Sequence, residues 1–179
     1  MQKRKGLVIV NTGDGKGKTT AALGIAVRAW GDGMRVLILQ FIKGGWKYGE
    51  LNAIKALGDI NGKIKVSQCG IGFSQRDDQN EEEHKKAAAN ALAMAHREIK
   101  SGEWDVIILD EINYAVKFGL IDKNDVIDLL NEKSDELHVI LTGRDAVPEI
   151  VEKADLVTEM RLIKHPFQRG IKAQKGIEF

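Results

Sequence analysis

Residues Thr12-Gly13-Asp14-Gly15-Lys16-Gly17-Lys18-Thr19-Thr20 form a run of glycines and lysines ending in a Lys-Thr-Thr triplet. Glycines let a backbone turn sharply enough for several N–H groups to converge on phosphate oxygens, and a following helix adds the partial positive charge of its N-terminus. Lys18 supplies a point charge for those phosphates, and Thr19 offers a hydroxyl to the Mg²⁺ that accompanies them. The run follows the apolar stretch Leu7 to Val10 and opens a stretch of helical spacing, the context a phosphate-binding loop needs. The pattern GxxxxGK[ST] places its first glycine at position 12, where this chain has Thr12 followed by Gly13, so the loop is a variant. The ligand this chemistry implies is the triphosphate of ATP with Mg²⁺, cradled from Thr12 to Thr20.

A second group of residues could face the same metal. Val106 to Leu109 is apolar and ends in Asp110-Glu111, two carboxylates at a strand end. Neighbouring side chains there point in different directions, so one can serve the Mg²⁺ shell while the other orients water or a neighbour, and the spacing leaves open which does which. Arg144, in Leu141-Thr142-Gly143-Arg144, falls just past another apolar run, where clamping an anion and forming a surface ion pair are equally open readings.

Positioning these groups requires a sheet. The runs Leu7 to Val10, Val36 to Phe41, Val106 to Leu109, Leu137 to Leu141 and Leu156 to Met160 alternate with stretches of helical spacing, which predicts an α/β fold with a mostly parallel sheet. The runs are apolar throughout, as strands covered by helices on both faces should be. Helices are predicted over Lys18 to Trp30, stopped by Gly31-Asp32-Gly33; over Glu81 to Ile99, closed by Ser101-Gly102; over Lys123 to Glu132 with Asp122 as N-cap; and from Pro148 to Ala154. Two segments, Lys43 to Glu50 around Trp46 and Tyr48 and Cys69 to Asn80 around Phe73, follow putative strands and carry aromatics among glycines. They are candidate ligand walls. The stretch from Lys164 to Phe179 carries His165, Arg169, Lys172 and Lys175, and on charge alone is a solvated tail.

Composition bounds the rest. The 179 residues suit one compact domain, with a basic segment over about 162–179 at its end. Lys plus Arg number 27 against 26 Asp plus Glu, a net charge of +1 that exerts no general pull on nucleic acid or anionic lipid. Cys69 is the one cysteine, which excludes an internal disulfide and a cysteine-based zinc site and agrees with a reducing compartment, the cytoplasm by expectation. The apolar stretch after the basic start is too short for a signal segment or a membrane span.

A Mg²⁺-ATP site could serve hydrolysis, phosphoryl transfer or attack elsewhere on the nucleotide. The segments TGDGKGKTTAALG, RVLILQFIKG, YGE, GFS, LDEINYA, LTGR and EMRLIKHPFQRGIKAQKGIEF, in this order, resemble the P-loop family of corrinoid (cobalamin) adenosyltransferases along essentially the whole chain. The C-terminal segment is the most specific, since P-loop proteins in general do not share it. The resemblance implies a single-domain P-loop NTPase-like fold of the RecA type. It implies transfer of the 5′-deoxyadenosyl group of ATP to the cobalt(I) of a corrinoid, with ATP bound so that the ribose 5′-carbon faces the cobalt and triphosphate is the leaving group. Lys18 and Glu111 are then catalytic, Thr19, Glu111 and Asp110 stand on the Mg²⁺ side, and Arg28 neighbours the nucleotide. Phe73, with Trp46, lies against the corrinoid, where an apolar group displaces the lower axial ligand and leaves a four-coordinate cobalt(II) that is easier to reduce. A flavoprotein reductant and a homodimer are implied in the same way. Two departures stand out: family members carry Gly-Phe-Thr-Trp where this chain has Gly72-Phe73-Ser74-Gln75, and they carry an N-terminal extension able to fold over the site where five residues precede Gly6 here. The competing expectations are a RecA-like or AAA-like ATPase in which Glu111 polarises water, and a non-catalytic sensor whose bound ATP orders the segment from Lys43 to Glu50.

Overall fold

The computed structural model describes residues 4–45, 47–72 and 81–178. Six parallel strands form one sheet: β1 (Val8–Thr12), β2 (Val36–Gln40), β3 (Ile64–Gln68), β4 (Val106–Asp110), β5 (His138–Thr142) and β6 (Leu156–Glu159), in the order β3-β2-β4-β5-β1-β6. The four inner strands are those whose apolar runs are unbroken in the sequence, and residues of both parities along them are buried. Val8, Val10, Leu39, Leu109 and Leu141 face one side, and Ile9, Ile38, Ile108 and Ile140 face the other.

Each face has its own helices. On one, α1 (Lys18–Gly31) buries Ala22, Ala26 and Ala29, and α2 (Gly49–Asn61) buries Ile54. Alanines at this spacing let α1 approach the sheet closely, which brings its N-terminus and the preceding loop tight against β1 and β4. The other face is covered by α3 (Glu81–Ser101), α4 (Ile112–Lys117), α5 (Lys123–Asn131) and α6 (Pro148–Lys153). Asp122 caps α5 by accepting the Asn124 N–H at 2.7 Å, and Pro148 occupies the first turn of α6.

The α/β architecture predicted from the apolar runs is the one observed. Three elements escaped the sequence pattern, each for a local reason. Strand β3 lies at the sheet edge with Lys65 exposed, so its polar positions break the apolar run. Helix α2 buries a single residue and so has almost no stripe, and α4 is less than two turns long. Gly49 and Glu50, predicted as loop, are the first turn of α2. All four residues of β6, the other edge strand, are exposed.

Candidate active site

The phosphate loop leaves the carboxyl end of β1, and its glycines do separate jobs. Gly13 and Gly17 adopt φ of +93° and +110°, which only glycine adopts without strain, and Gly17 is the N-cap of α1. Gly15 is needed for closeness instead. A Cβ there would lie 2.7 Å from the Met160 carbonyl oxygen and 2.8 Å from that of Arg161, and the Gly15 N–H donates to Met160 O at 2.7 Å. Met160 N–H in turn donates to Thr12 O at 2.8 Å. Thr12, which stands where the motif has glycine, ends β1 and accepts the Ala146 N–H on its hydroxyl at 3.0 Å, tying the loop to the segment after β5.

Lys18 opens α1 yet is only 7% exposed. Its ammonium donates to Gly13 O and Gly15 O, both at 2.7 Å, and so lies within the curve of the loop. Burial lowers the Lys18 pKa, with the Glu111 carboxylate pulling the other way.

Beneath the loop, Asp110 is fully buried at the end of β4 and saturated with donors. Its Oδ1 accepts the hydroxyls of Thr19 at 2.7 Å and Thr142 at 2.8 Å. Its Oδ2 accepts the Gln40 amide at 3.1 Å and faces Lys43 Nζ at 3.1 Å. Thr142 also accepts the Glu111 N–H at 2.9 Å, which fixes the turn into α4. Glu111 itself sits at φ +64°, a left-handed conformation unusual for a side-chain-bearing residue, and it lines the cleft. Burial and the adjacent Asp110 charge raise its pKa, against the pull of Lys43, Lys18 and Arg144. The division of labour left open by the sequence is therefore structural: Asp110 anchors, and Glu111 is presented.

A cleft of about 1190 Å³ collects segments that follow all six strands. Lys16 to Thr20 follow β1, Ile42 to Gly44 follow β2, Gly72 follows β3, Glu111 follows β4, Arg144 follows β5, and Arg161 to Pro166 follow β6. Gly15, Lys16, Gly17, Lys18, Thr19, Thr20 and Glu111 line it, as do Tyr48, Glu50 and Tyr114. Arg144 stands at its mouth, 3.7 Å from the exposed Asp14. Arg28 is exposed in the last turn of α1 and does not line the cleft, and Phe73 and Trp46 lie outside the described residues.

The sequence pattern missed two parts of the site. Lys43 opens the segment predicted as a ligand wall and does line the cleft, but no role of its own fell to it, because a lone lysine among glycines carries no spacing signal. The C-terminal stretch, a solvated tail on charge alone, instead forms a wall of the cleft: Leu162, Ile163, His165, Ile177 and Glu178 line it. Lys16 Nζ donates to Glu178 Oε2 at 2.7 Å, and the His165 ring caps a 3₁₀ turn at Pro166–Arg169 by accepting the Phe167 N–H.

The donor set suits a hard divalent cation: Thr19 hydroxyl and Asp110 and Glu111 carboxylates are all oxygen, and the buried Gln40 Oε1 beside Asp110 has no partner. Among the described residues no three His, Cys, Asp or Glu side chains converge on one metal position; a Mg²⁺ here would take its remaining ligands from phosphate and water, its usual mode.

The family described as ATP:corrinoid adenosyltransferase BtuR/CobO/CobP matches residues 4–179. The corrinoid adenosyltransferase of Escherichia coli K12 is 40% identical over 178 residues, spanning 99% of this chain and 88% of the relative. That of a Sinorhizobium species is 44% identical over 177 residues, 98% and 81% of the two chains. In three dimensions the chain is similar to the flagellar accessory protein FlaH of Methanocaldococcus jannaschii, with a TM-score of 0.56 at 14% identity over 88% of this chain and 72% of that one, a likeness of fold alone.

Proposed function

The chain belongs to the ATP:corrinoid adenosyltransferase family, and from that premise we propose how its cleft moves an adenosyl group from ATP to a corrinoid. Membership chooses among the uses of a nucleotide site that the motifs left open. The reaction breaks the C5′–O bond of ATP and forms a bond from C5′ to the cobalt of the substrate. A cobalt(I) electron pair is the nucleophile, and triphosphate leaves with the electrons of the broken bond.

This stoichiometry gives the chain one principal task, which is to stabilise charge growing on the leaving group. The backbone donors from Gly13 to Thr20, apart from the Gly15 N–H that Met160 accepts, and the Lys18 ammonium hold the triphosphate. Lys18 now donates to the carbonyls of Gly13 and Gly15, and it exchanges these for phosphate oxygens without leaving the loop. Thr19 and Asp110, together with Glu111 lining the cleft, are the residues that would hold Mg²⁺. When bound there, the ion would supply positive charge beside the developing triphosphate. No side chain has to act as nucleophile or strip a proton.

The corrinoid occupies the outer part of the cleft, between the segment after β2 and the C-terminal wall, with Phe73 and Trp46 against its ring. A flavoprotein reductant, a homodimer and a role in cobalamin biosynthesis in the cytoplasm complete the proposal. No helix among the described residues is long and apolar enough to cross a membrane.

The single observation that carries this reading is the buried Lys18 ammonium inside the loop curve, with Thr19 bonded to Asp110 beside it. Protein, Mg²⁺-ATP and chemically reduced cobalamin should yield the light-sensitive adenosylated product and one triphosphate per turnover. Lys18→Ala should lower that rate by about a hundredfold to a thousandfold, the usual effect of removing one preorganised donor. Release of single phosphates without adenosylated product would overturn the reading.

A further inference from the structure

The site holds a cation to which the proposed function gives no role. Lys43 lies three residues past the end of β2, with its side chain 15% exposed and its ammonium 3.1 Å from Asp110 Oδ2. The same ammonium is 3.6 Å from Glu50 and 4.9 Å from the centre of the Tyr48 ring, so the first turn of α2 and its N-cap residue converge on it. Asp110 is fully buried, and its second carboxylate oxygen has no other charged partner among the described residues. A buried carboxylate without compensation is strongly destabilising. Something positive must stand there when the nucleotide and its metal do not.

We propose that Lys43 is a positioning residue that holds the place of the divalent cation against Asp110 in the nucleotide-free enzyme and gives it up when Mg²⁺-ATP enters. Charge bookkeeping supports the exchange. With Mg²⁺ on the Asp110 side, the carboxylate is compensated, and the Lys43 ammonium is left beside a new cation that repels it. Lys43 already lines the cleft, where the triphosphate offers a fresh counter-charge. Its departure also releases the Glu50 carboxylate and the Tyr48 face, so the segment bordering the corrinoid side is re-tied as the nucleotide arrives. Metal entry and the shape of that wall are thereby linked through one side chain.

The inference rests on the metal-side assignment of Thr19 and Asp110, and its test uses protein and metal alone, so its failure leaves adenosyl transfer standing. Thermal unfolding is followed without nucleotide, with and without about 10 mM MgCl₂ and with KCl of equal ionic strength as control. Wild type should show no Mg²⁺-specific shift, because Lys43 fills the place. Lys43→Met should melt about 5 °C or more below wild type and recover most of that loss with Mg²⁺ but not with KCl. Lys43→Gln, a milder change, should show the same recovery if the methionine variant does not fold, and Lys43→Arg should behave as wild type. Adding Asp110→Asn to Lys43→Met should abolish the recovery. A loss that Mg²⁺ does not restore, or a wild type that responds to Mg²⁺ as strongly as the variant, would overturn the proposal.

Discussion

Replacing Gly15 by alanine tests whether the C-terminal wall is built on the phosphate loop. The backbone at Gly15 needs no left-handed angle, so the cost of the methyl is one of space alone. The new Cβ meets the Met160 oxygen at 2.7 Å and the Arg161 oxygen at 2.8 Å, whereas ordinary contact begins at 3.4 Å, so the strand exit must retreat by about 0.7 Å. Both obstacles are main chain, and no rotamer change relieves them. The retreat also stretches the Gly15 N–H to Met160 bond from 2.7 Å beyond useful range. Overpacking of about 1–3 kcal/mol and a lost hydrogen bond of about 1 kcal/mol together give roughly 2–4 kcal/mol. For a chain of this length that corresponds to a fall in Tm of roughly 5–12 °C. Circular dichroism melts measure it directly, and the adenosylation rate should fall with it, because Leu162 to His165 shift with Met160. If Gly15→Ala melts within about 2 °C of wild type, the close packing of loop and wall is wrong and the argument fails with it.

Two further substitutions read the ionisable groups. Glu111 has a raised pKa, so its ionised form is disfavoured by folding: the cost is absent below its unfolded value and fully present above its folded one. Glu111→Gln should therefore raise Tm at neutral pH, with the gain vanishing as pH falls through the carboxylate range, while adenosylation drops; a pH-independent gain would refute the cause assigned. Asp105 shows the opposite sign. Its hydrogen bond from Arg35 outweighs burial, and with Arg4 it holds the carboxyl well below the usual carboxylate range, pinning the starts of β2 and β4. Asp105→Asn should destabilise at neutral pH, and the difference from wild type should close only as pH falls below the ordinary carboxylate value, read from urea midpoints across pH.

The phosphate loop and the inner strands were legible because both are set by local chemistry. A strand buried on two faces must be apolar throughout, and a backbone that receives phosphate must carry glycine and lysine in a fixed order, so sequence spacing transmits both. Asp110 and Glu111 were legible as a pair but not as two roles. The difference between them arises from the φ of +64° at Glu111, and nothing in an Asp-Glu dipeptide announces it. Helix α2 and strand β3 were missed because each lies at the margin of the core, where burial no longer imposes a period.

The C-terminal wall was illegible from its residues for a different reason, and that reason says how the site is assembled. Its side chains are mostly exposed, and Ile163, Phe167 and Ile177 stand out at 88%, 74% and 81%, so no hydrophobic pattern could have placed it. What places it is main chain: Met160 bonds on one side to Thr12 and on the other to Gly15, continuing the β1–β6 ladder past the end of the strand and onto the loop. Backbone hydrogen bonds carry no side-chain signature except where they need room, and here the room is made by Gly13 and Gly15, which sequence reasoning assigned wholly to phosphate. The same two glycines thus serve two surfaces, the concave one of the loop and an outer one against the wall. A substitution at either therefore reaches the C-terminal wall through the main chain of Met160.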